Sequence, residues 1–375
     1  MNVCLLVTGL GAGRVPPALL EHLGALGDDV RVVVAVTEPG PVATDDPRLS
    51  RASVVAVADA VSSSERFDVA LATGWRTAVS LFRVPAARHA LYLSELEHRA
   101  FGPGDPEGIP AALALDLPVD FIVEGRWLAN EIRELRPEAR GRIVRPGVVR
   151  SDPAPASPRL RVLPEGPAAE AALAGMSEPF EVAGALGEAD VVLMLGTHDG
   201  VLGAPLAGFA SGATAVVTPV PGHDELVQHR VNGLVADPDD ARGAARWLDL
   251  LARDESLLAS LRSGAARTAG EWPSVEAAAA SFRAVLDEFV REEPPADVRW
   301  PVRLMEDAVA RTTIVREHMR FLDESLARAE KSAAEAQAFL RAVRAPVVRA
   351  RGRLRVWRGH AALGPLRRLW RALRG

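Results

Sequence analysis

Apolar residues in the first 290 positions fall into short unbroken runs separated by amphipathic stretches. Val3–Val7, Val30–Val36, Ser53–Ala56, Asp68–Ala72, Ala90–Leu93 and Phe121–Val123 each read as a strand buried on both faces. Helical periodicity fits between them, at Pro17–Leu26, Arg76–Phe82 and Trp127–Leu135. This alternation predicts a parallel sheet with right-handed crossovers, ending near Ile143-Val144. Ser151–Pro158 (SDPAPASP) reads as an extended connector. A second unit then offers Arg161–Leu163, Phe180–Val182, Val191–Leu195 and Ala213–Val217 as strands, and Asp237–Leu251 and Asp254–Thr268 as helices with Asp near their N-caps. Pro294-Pro295 breaks the pattern, and a long polar helix is expected from Pro301 to about Ala345. Its apolar positions Leu304, Ala308, Val315, Met319, Leu322, Leu326 and Ala329 lie mostly three or four apart, an imperfect heptad that suits a helical partner or self-association.

The loop Gly196-Thr197-His198-Asp199-Gly200 stands between a buried strand and a helix, at the carboxyl edge where open parallel sheets bind ligands. Amides at a helix N-terminus suit a phosphate group. An ordinary strand-to-helix turn would look the same, and Asp199 would then be only a first-turn acid that favours the helix dipole. Near the N-terminus, Gly9–Arg14 (GLGAGR) follows the first strand but has Arg14 where a dinucleotide fingerprint needs glycine.

The stretch from Ala189 to Asp240 resembles the nucleotide-sugar half of retaining GT-B glycosyltransferases of the family 4 type. The matching residues are Ala189-Asp190-Val191, Asp199-Gly200, Pro205, Ala210, Gly212, Gly222, Glu225-Leu226-Val227, Val231–Val235 and Asp237, with Glu271–Phe282 similar to the closing helix and Arg145–Val148 to the hinge. Asp68–Ala78 and Ala90–Phe101 resemble segments of bacterial rhamnosyltransferases of surface-glycan synthesis, through Trp75, Thr77, Tyr92, Glu95, Glu97 and Phe101. The resemblance implies an α/β fold with the GT-B architecture: two facing Rossmann-like domains, the second shortened, then a long C-terminal helix and a basic tail. The expected boundaries are 1–150 for the acceptor-side domain, 151–293 for the nucleotide-sugar domain, 301–345 for the helix and 346–375 for the tail.

By the same resemblance, Asp199 with Gly196, Thr197, His198, Gly200, His223 and Glu225 would hold a nucleoside-diphosphate sugar. Glu95 and Glu97, the catalytic candidates with Asp199, would face a glycan or lipid-linked acceptor together with Gly11, Gly13, Trp75 and Thr77. Two departures weaken the match. The family's second acid aligns with Ala207, and Arg161 is the one basic residue from Leu160 to Asp199, where the family places an Arg/Lys pair facing the diphosphate. Arg142, Arg145 and Arg230 are the substitutes to consider. A non-catalytic glycan-binding or scaffolding relative is therefore the alternative to a transferase. The eight histidines show no metal-ligand spacing, so no metal or other cofactor is expected.

Charge adds a further element. Residues 341–375 hold eleven arginines and no acid, leaving 33 basic against 49 acidic residues in the rest of the chain. In the tail, Arg367, Arg368, Arg371 and Arg374 interleave with Leu366, Leu369, Trp370 and Leu373, a pattern suited to an anionic membrane surface. No aromatic platform accompanies the arginines, so nucleic acid is not an expected partner. One cysteine, no signal-peptide pattern and no long apolar run lead to the expectation of a cytoplasmic protein held peripherally at the inner face of the membrane.

Overall fold

A computed structural model describes every residue except 11–13, 39–45, 140, 156, 197–202, 239, 296–298 and 360–375. The chain begins β1 (Asn2–Val7), α1 (Pro17–Gly24), β2 (Arg31–Val36), β3 (Ser53–Ala56), α2 (Val57–Val61), β4 (Phe67–Ala72) and α3 (Trp75–Leu81). It continues with β5 (Ala86–Leu93), α4 (Gly108–Leu113), β6 (Asp120–Val123), α5 (Arg126–Leu135) and β7 (Gly141–Ile143). These strands form one parallel sheet in the order β3-β2-β1-β4-β5-β6-β7. The apolar runs seen in the sequence are its central strands, with Val3–Val7 and Val69–Ala72 wholly buried. The order reverses between β1 and β4, so a crevice opens beyond their carboxyl ends.

The second unit runs β8 (Leu160–Glu165), α6 (Pro167–Ala174), β9 (Phe180–Val182), β10 (Val191–Met194), α7 (Gly203–Ala210), β11 (Thr214–Val217), β12 (Gly233–Val235), α8 (Ala241–Arg253) and α9 (Glu255–Glu271). Its parallel sheet has five strands, ordered β12-β11-β10-β8-β9, against seven in the first. Both Asp-capped helices form: Asp240 accepts from the Gly243 amide (2.8 Å) and Asp254 from the Leu257 amide (2.9 Å). Gly208 lets α7 lie close on β10, since a Cβ there would fall 2.5 Å from Val192 Cγ2.

Helix α10 (Val275–Arg291) follows the second unit in sequence but packs on the first sheet. Phe282, Val285, Leu286 and Phe289 are buried among residues of β1, β2 and α1. Arg142, at the far edge of that sheet, pairs with Glu288 (3.1 Å) and Glu292 (2.7 Å) near the helix end. The segment similar to the family's closing helix thus packs on the first sheet, on the side covered by α1. Helix α11 (Arg299–Gly359) is longer than the expected 301–345. Its first turns belong to the compact body, where Met305 is buried, and the residues after Ala310 form a separate unit. No described helix is long and apolar enough to cross a membrane.

His22 on α1 is fully buried against Phe282 (ring centroids 5.4 Å apart), and neither ring nitrogen has a hydrogen-bond partner. Burial pushes its pKa down to about 4, so the folded state refuses a proton that the unfolded chain accepts. Stability is therefore expected to fall as pH drops from about 6.5 towards 4, by up to roughly 3 kcal/mol from this group. His22→Leu should flatten that part of the curve in urea titrations run at successive pH values. An unchanged slope would contradict the assignment.

Candidate functional site

The carboxyl ends of β1, β4 and β5 border a cleft of about 330 Å³ lined by Thr8, Arg14, Thr73, Arg76, Thr77, Ser94, Glu95 and Glu97, among others. It lies at the reversal point of the first sheet, where the topology leaves room between neighbouring crossovers. Its wall is held by short backbone contacts. Thr77 Oγ1 accepts from the Thr73 amide (2.9 Å) and donates to the Gly74 carbonyl (2.9 Å). Glu97 accepts from the Trp75 amide (2.6 Å), serving as the cap that Gly74 cannot supply to α3.

Three carboxyl groups gather near this edge. Burial is the main cause that lifts Glu97 to about 7; the Trp75 amide pulls it down, neighbouring Glu95 pushes it up and Arg76 pulls it down. Glu124, directly after β6, is buried and accepts from the hydroxyl of Tyr92, the one tyrosine in the chain (2.9 Å). Burial likewise lifts Glu124 to about 7, opposed by the Tyr92 hydrogen bond and helped by Glu95 and Glu21. Two carboxyls that titrate near neutrality beside a polar cleft are what hydroxyl recognition and proton handling call for. Two cations border the same space. Arg14 pairs with Glu38 (2.6 Å), and Arg76 pairs with Glu107 while lying over the Trp75 ring (4.6 Å to its centroid).

On the second sheet the order reverses between β8 and β10, which brings Gly196, just beyond β10, to the corresponding position. Its amide donates to Thr218 Oγ1 (3.1 Å), whose hydroxyl donates back to the Gly196 carbonyl (2.6 Å). Thr218 thus ties the ends of β10 and β11 together, and the Gly196 amide already has a protein acceptor. His223 lies half-buried in the turn after β11, hydrogen-bonded through Nδ1 to the Val220 carbonyl (2.7 Å).

The two sheet edges meet at Glu225. One oxygen accepts from the Trp127 amide at the start of α5 (2.5 Å), and the other lies 3.5 Å from Arg126 Nε. Its side chain is 6% exposed. Gly125, the N-cap of α5, has no side chain to offer, so a carboxylate from the other sheet takes the orphan amide and the positive helix end. Gly222 makes the approach feasible. Its φ is +84°, and a Cβ there would fall 2.2 Å from Trp127 Cδ1.

The structure therefore brings Glu95, Glu97 and Thr77 together at one cleft. Trp75 contributes differently from the expectation: its ring is buried in the core and only its amide reaches the site. Glu225, expected at a donor, has its carboxylate taken up by α5. Gly11, Gly13, Thr197, His198, Asp199, Gly200, Arg367, Arg368, Trp370, Arg371 and Arg374 lie outside the described residues. The sequence reading passed over Glu124, Arg76 and the Arg126–Trp127 helix start. Their signal was position: each directly follows, or lies within a few residues of, the carboxyl end of a strand legible as an apolar run.

Arg161 and the arginines considered as substitutes for the absent basic pair, Arg142, Arg145 and Arg230, are engaged elsewhere. Arg161 and Arg262 both bind the buried Asp190 carboxylate (2.9 and 3.0 Å), a tie between β8 and α9. Arg142 is held by α10, Arg145 lies over Trp272 (4.8 Å) and Arg230 over Trp247 (5.5 Å). Several residues that carry the family resemblance are likewise structural. Buried Asn232, for example, donates to the Leu226 carbonyl (2.8 Å) and to Thr268 Oγ1 (2.9 Å).

The Glu225 bridge has a direct consequence. Glu225→Ala should lower the unfolding free energy by about 1–2 kcal/mol, through loss of the cap and its charge. Glu225→Gln, which retains an acceptor, should cost less than half as much. Chemical denaturation of the two variants checks this, and a neutral Glu225→Ala would contradict it.

Comparison with known proteins agrees with this architecture. Residues 124–254 match a family model described as glycosyl transferases group 1. No curated protein sequence matches the chain. Among solved structures, HepE of Anabaena, crystallised with UDP and glucose, is similar with a TM-score of 0.60 and 14% identity over 77% of this chain and 100% of its own. Sucrose-phosphate synthase of Thermosynechococcus elongatus gives 0.60 and 13% over 76% and 98%. WaaG, a glycosyltransferase involved in lipopolysaccharide biosynthesis, gives 0.52 and 12% over 77% and 99%. With two parallel sheets, a ligand-sized cleft at the reversal point of the first and a long closing helix, the chain has the fold of the GT-B glycosyltransferases.

Proposed function

We propose that this protein transfers a sugar from a nucleoside diphosphate to a hydroxyl of a cell-surface glycan or lipid-linked acceptor. The observation that carries the reading is the Glu95/Glu97 cleft on one sheet edge, joined through Glu225 and α5 to the edge that bears Gly196 and His223. In this reading the donor lies along the second edge, with Asp199, the backbone from Gly196 to Gly200 and His223 around its diphosphate and sugar. That HepE was solved with UDP and glucose supports a nucleotide-sugar donor. The acceptor hydroxyl lies in the first cleft and donates to Glu97 or Glu95, with Thr77 in the wall. The assignment to retaining chemistry and to a hexose or deoxyhexose such as rhamnose rests on the sequence resemblance alone.

A second reading, a glycan-binding subunit without catalysis, draws support from the engaged arginines. Arg161, Arg142, Arg145 and Arg230 are committed to other partners, and Arg126 faces Glu225 at the bridge. Calorimetry with several sugar nucleotides and an assay for nucleoside-diphosphate release separate the two readings. The transferase reading expects donor binding and slow donor hydrolysis in the absence of acceptor. No binding at millimolar donor would favour the glycan-binding subunit.

If Glu97 accepts the acceptor hydroxyl as a carboxylate, kcat/KM should rise with pH through about 7, because Glu97 is protonated below that value. Glu97→Gln should reduce kcat/KM by roughly 100-fold and remove the rise. A variant that keeps both would contradict the role.

The arginine-rich end of the chain is proposed to hold the protein at an anionic membrane surface on the cytoplasmic side, close to lipid-linked acceptors. Removing residues 360–375 should abolish sedimentation with phosphatidylglycerol vesicles and leave the melting of the body unchanged. Unchanged sedimentation would contradict a membrane role for that segment.

A further inference from the structure

Beyond Ala310, helix α11 forms a unit of its own, and its exposed face carries large apolar side chains. Val315, Met319, Leu322 and Leu326 are 42–59% exposed. A helix in water has no reason to hold such a row unless something covers it. The row belongs to a longer register. Counted from Thr312, every seventh residue to Leu354 is an a position and every seventh residue from Val315 to Trp357 a d position. Thirteen of these fourteen positions are apolar, Thr312 being the exception. The helix runs through Pro346, which falls on the flank of this seam.

We propose that residues 319–357 pair with the same residues of a second copy as an antiparallel two-stranded coiled coil centred near residue 338.

Two independent features select this partner and direction. The first is side-chain size. In a parallel, in-register pair, a and d residues meet their own copies, so Ala329, Ala333 and Ala336 give three successive layers of alanine on alanine. Such layers leave the seam underfilled. In the antiparallel pair, a residues meet d residues of the other copy. Leu326 then faces the partner's Ala350, Leu340 the partner's Ala336 and Val347 the partner's Ala329. Each of these layers sets a large residue against a small one, and the seam fills evenly.

The second feature is charge. Residues 341–358 carry seven arginines and no acid, whereas residues 317–335 carry five acids and three Lys or Arg. A parallel pair would set the arginine run beside itself. The antiparallel pair sets it beside the acidic stretch, with Glu330 near the partner's Arg344 and Asp323 near the partner's Arg351 at flanking e positions.

The test uses the full chain. The single native cysteine, Cys4, is buried and its thiol is pushed up to about 12, so spin labels attach to an introduced cysteine alone. Glu324→Cys and Ala338→Cys both lie at exposed f positions. At 1.5 Å per residue, the antiparallel pair puts the two labels at 324 about 42 Å apart along the axis, and the two at 338 about 20 Å apart. A parallel pair gives about 20 Å for both. Sedimentation equilibrium at micromolar concentration should show twice the 39.9 kDa chain mass. Leu322→Glu combined with Leu326→Glu should return the monomer without changing the melting of the body. The proposal is overturned if the natural chain is monomeric, whether or not it binds vesicles or another protein. It is also overturned by a short distance at 324, or by a double variant that stays dimeric.

Discussion

A nearly buried carboxylate ties the edges of the two sheets together. Glu225, almost buried, reaches from the turn after β11 to the Trp127 amide in the first turn of α5, where the N-cap Gly125 has no side chain to offer. An uncapped helix start buried at an interface would leave an amide without a partner, at a cost comparable to a lost hydrogen bond. The bridge removes that cost and fixes the end of β6, with Glu124, relative to the end of β11, with His223. Gly222 and Trp127 fit together only because that glycine lacks a Cβ. Sequence, backbone conformation and electrostatics agree at this point, and the proposed site depends on it.

Around the bridge, two kinds of polar burial serve different ends. Asp190 with Arg161 and Arg262, and Asn232 with Thr268, are fully partnered networks that hold strands to helices. Glu97 and Glu124 are different. Each has one short hydrogen bond, each is lifted to about 7 by burial, and both stand near Glu95. A carboxyl group raised to about 7 by burial costs fold stability as pH rises above its ordinary range, a cost that suits a site in contact with sugar hydroxyls better than a structural tie. The contrast separates the cleft on the first sheet from the surrounding ion pairs.

Much of the fold was legible because parallel strands buried on both faces must be apolar throughout. Val3–Val7 and Phe121–Val123 could hardly be anything else, and Asp240 and Asp254 announce their helices through their caps. The destination of α10 was not legible. Its apolar face fits either sheet by pattern, and only long-range packing with α1 decides. At the site, Glu95 and Glu97 were legible as carboxylates at a strand end, while the role of Glu225 was not. Which of a ligand and a helix N-terminus receives a carboxylate depends on geometry between residues about a hundred positions apart. Trp75, expected on the acceptor side by resemblance, is placed by long-range packing too: its ring completes the core and its amide reaches Glu97.

In the proposed transferase, the edge of the second sheet beside Gly196 and His223 would accept a nucleoside diphosphate while Glu225 keeps the first sheet in place. A crystal structure of the full chain soaked with UDP tests this most directly. Diphosphate density is expected beyond β10, beside Gly196 and His223, with the Glu225–Trp127 hydrogen bond retained. Nucleotide bound instead between Arg14 and Arg76 in the first cleft, or absent at millimolar UDP, would contradict it.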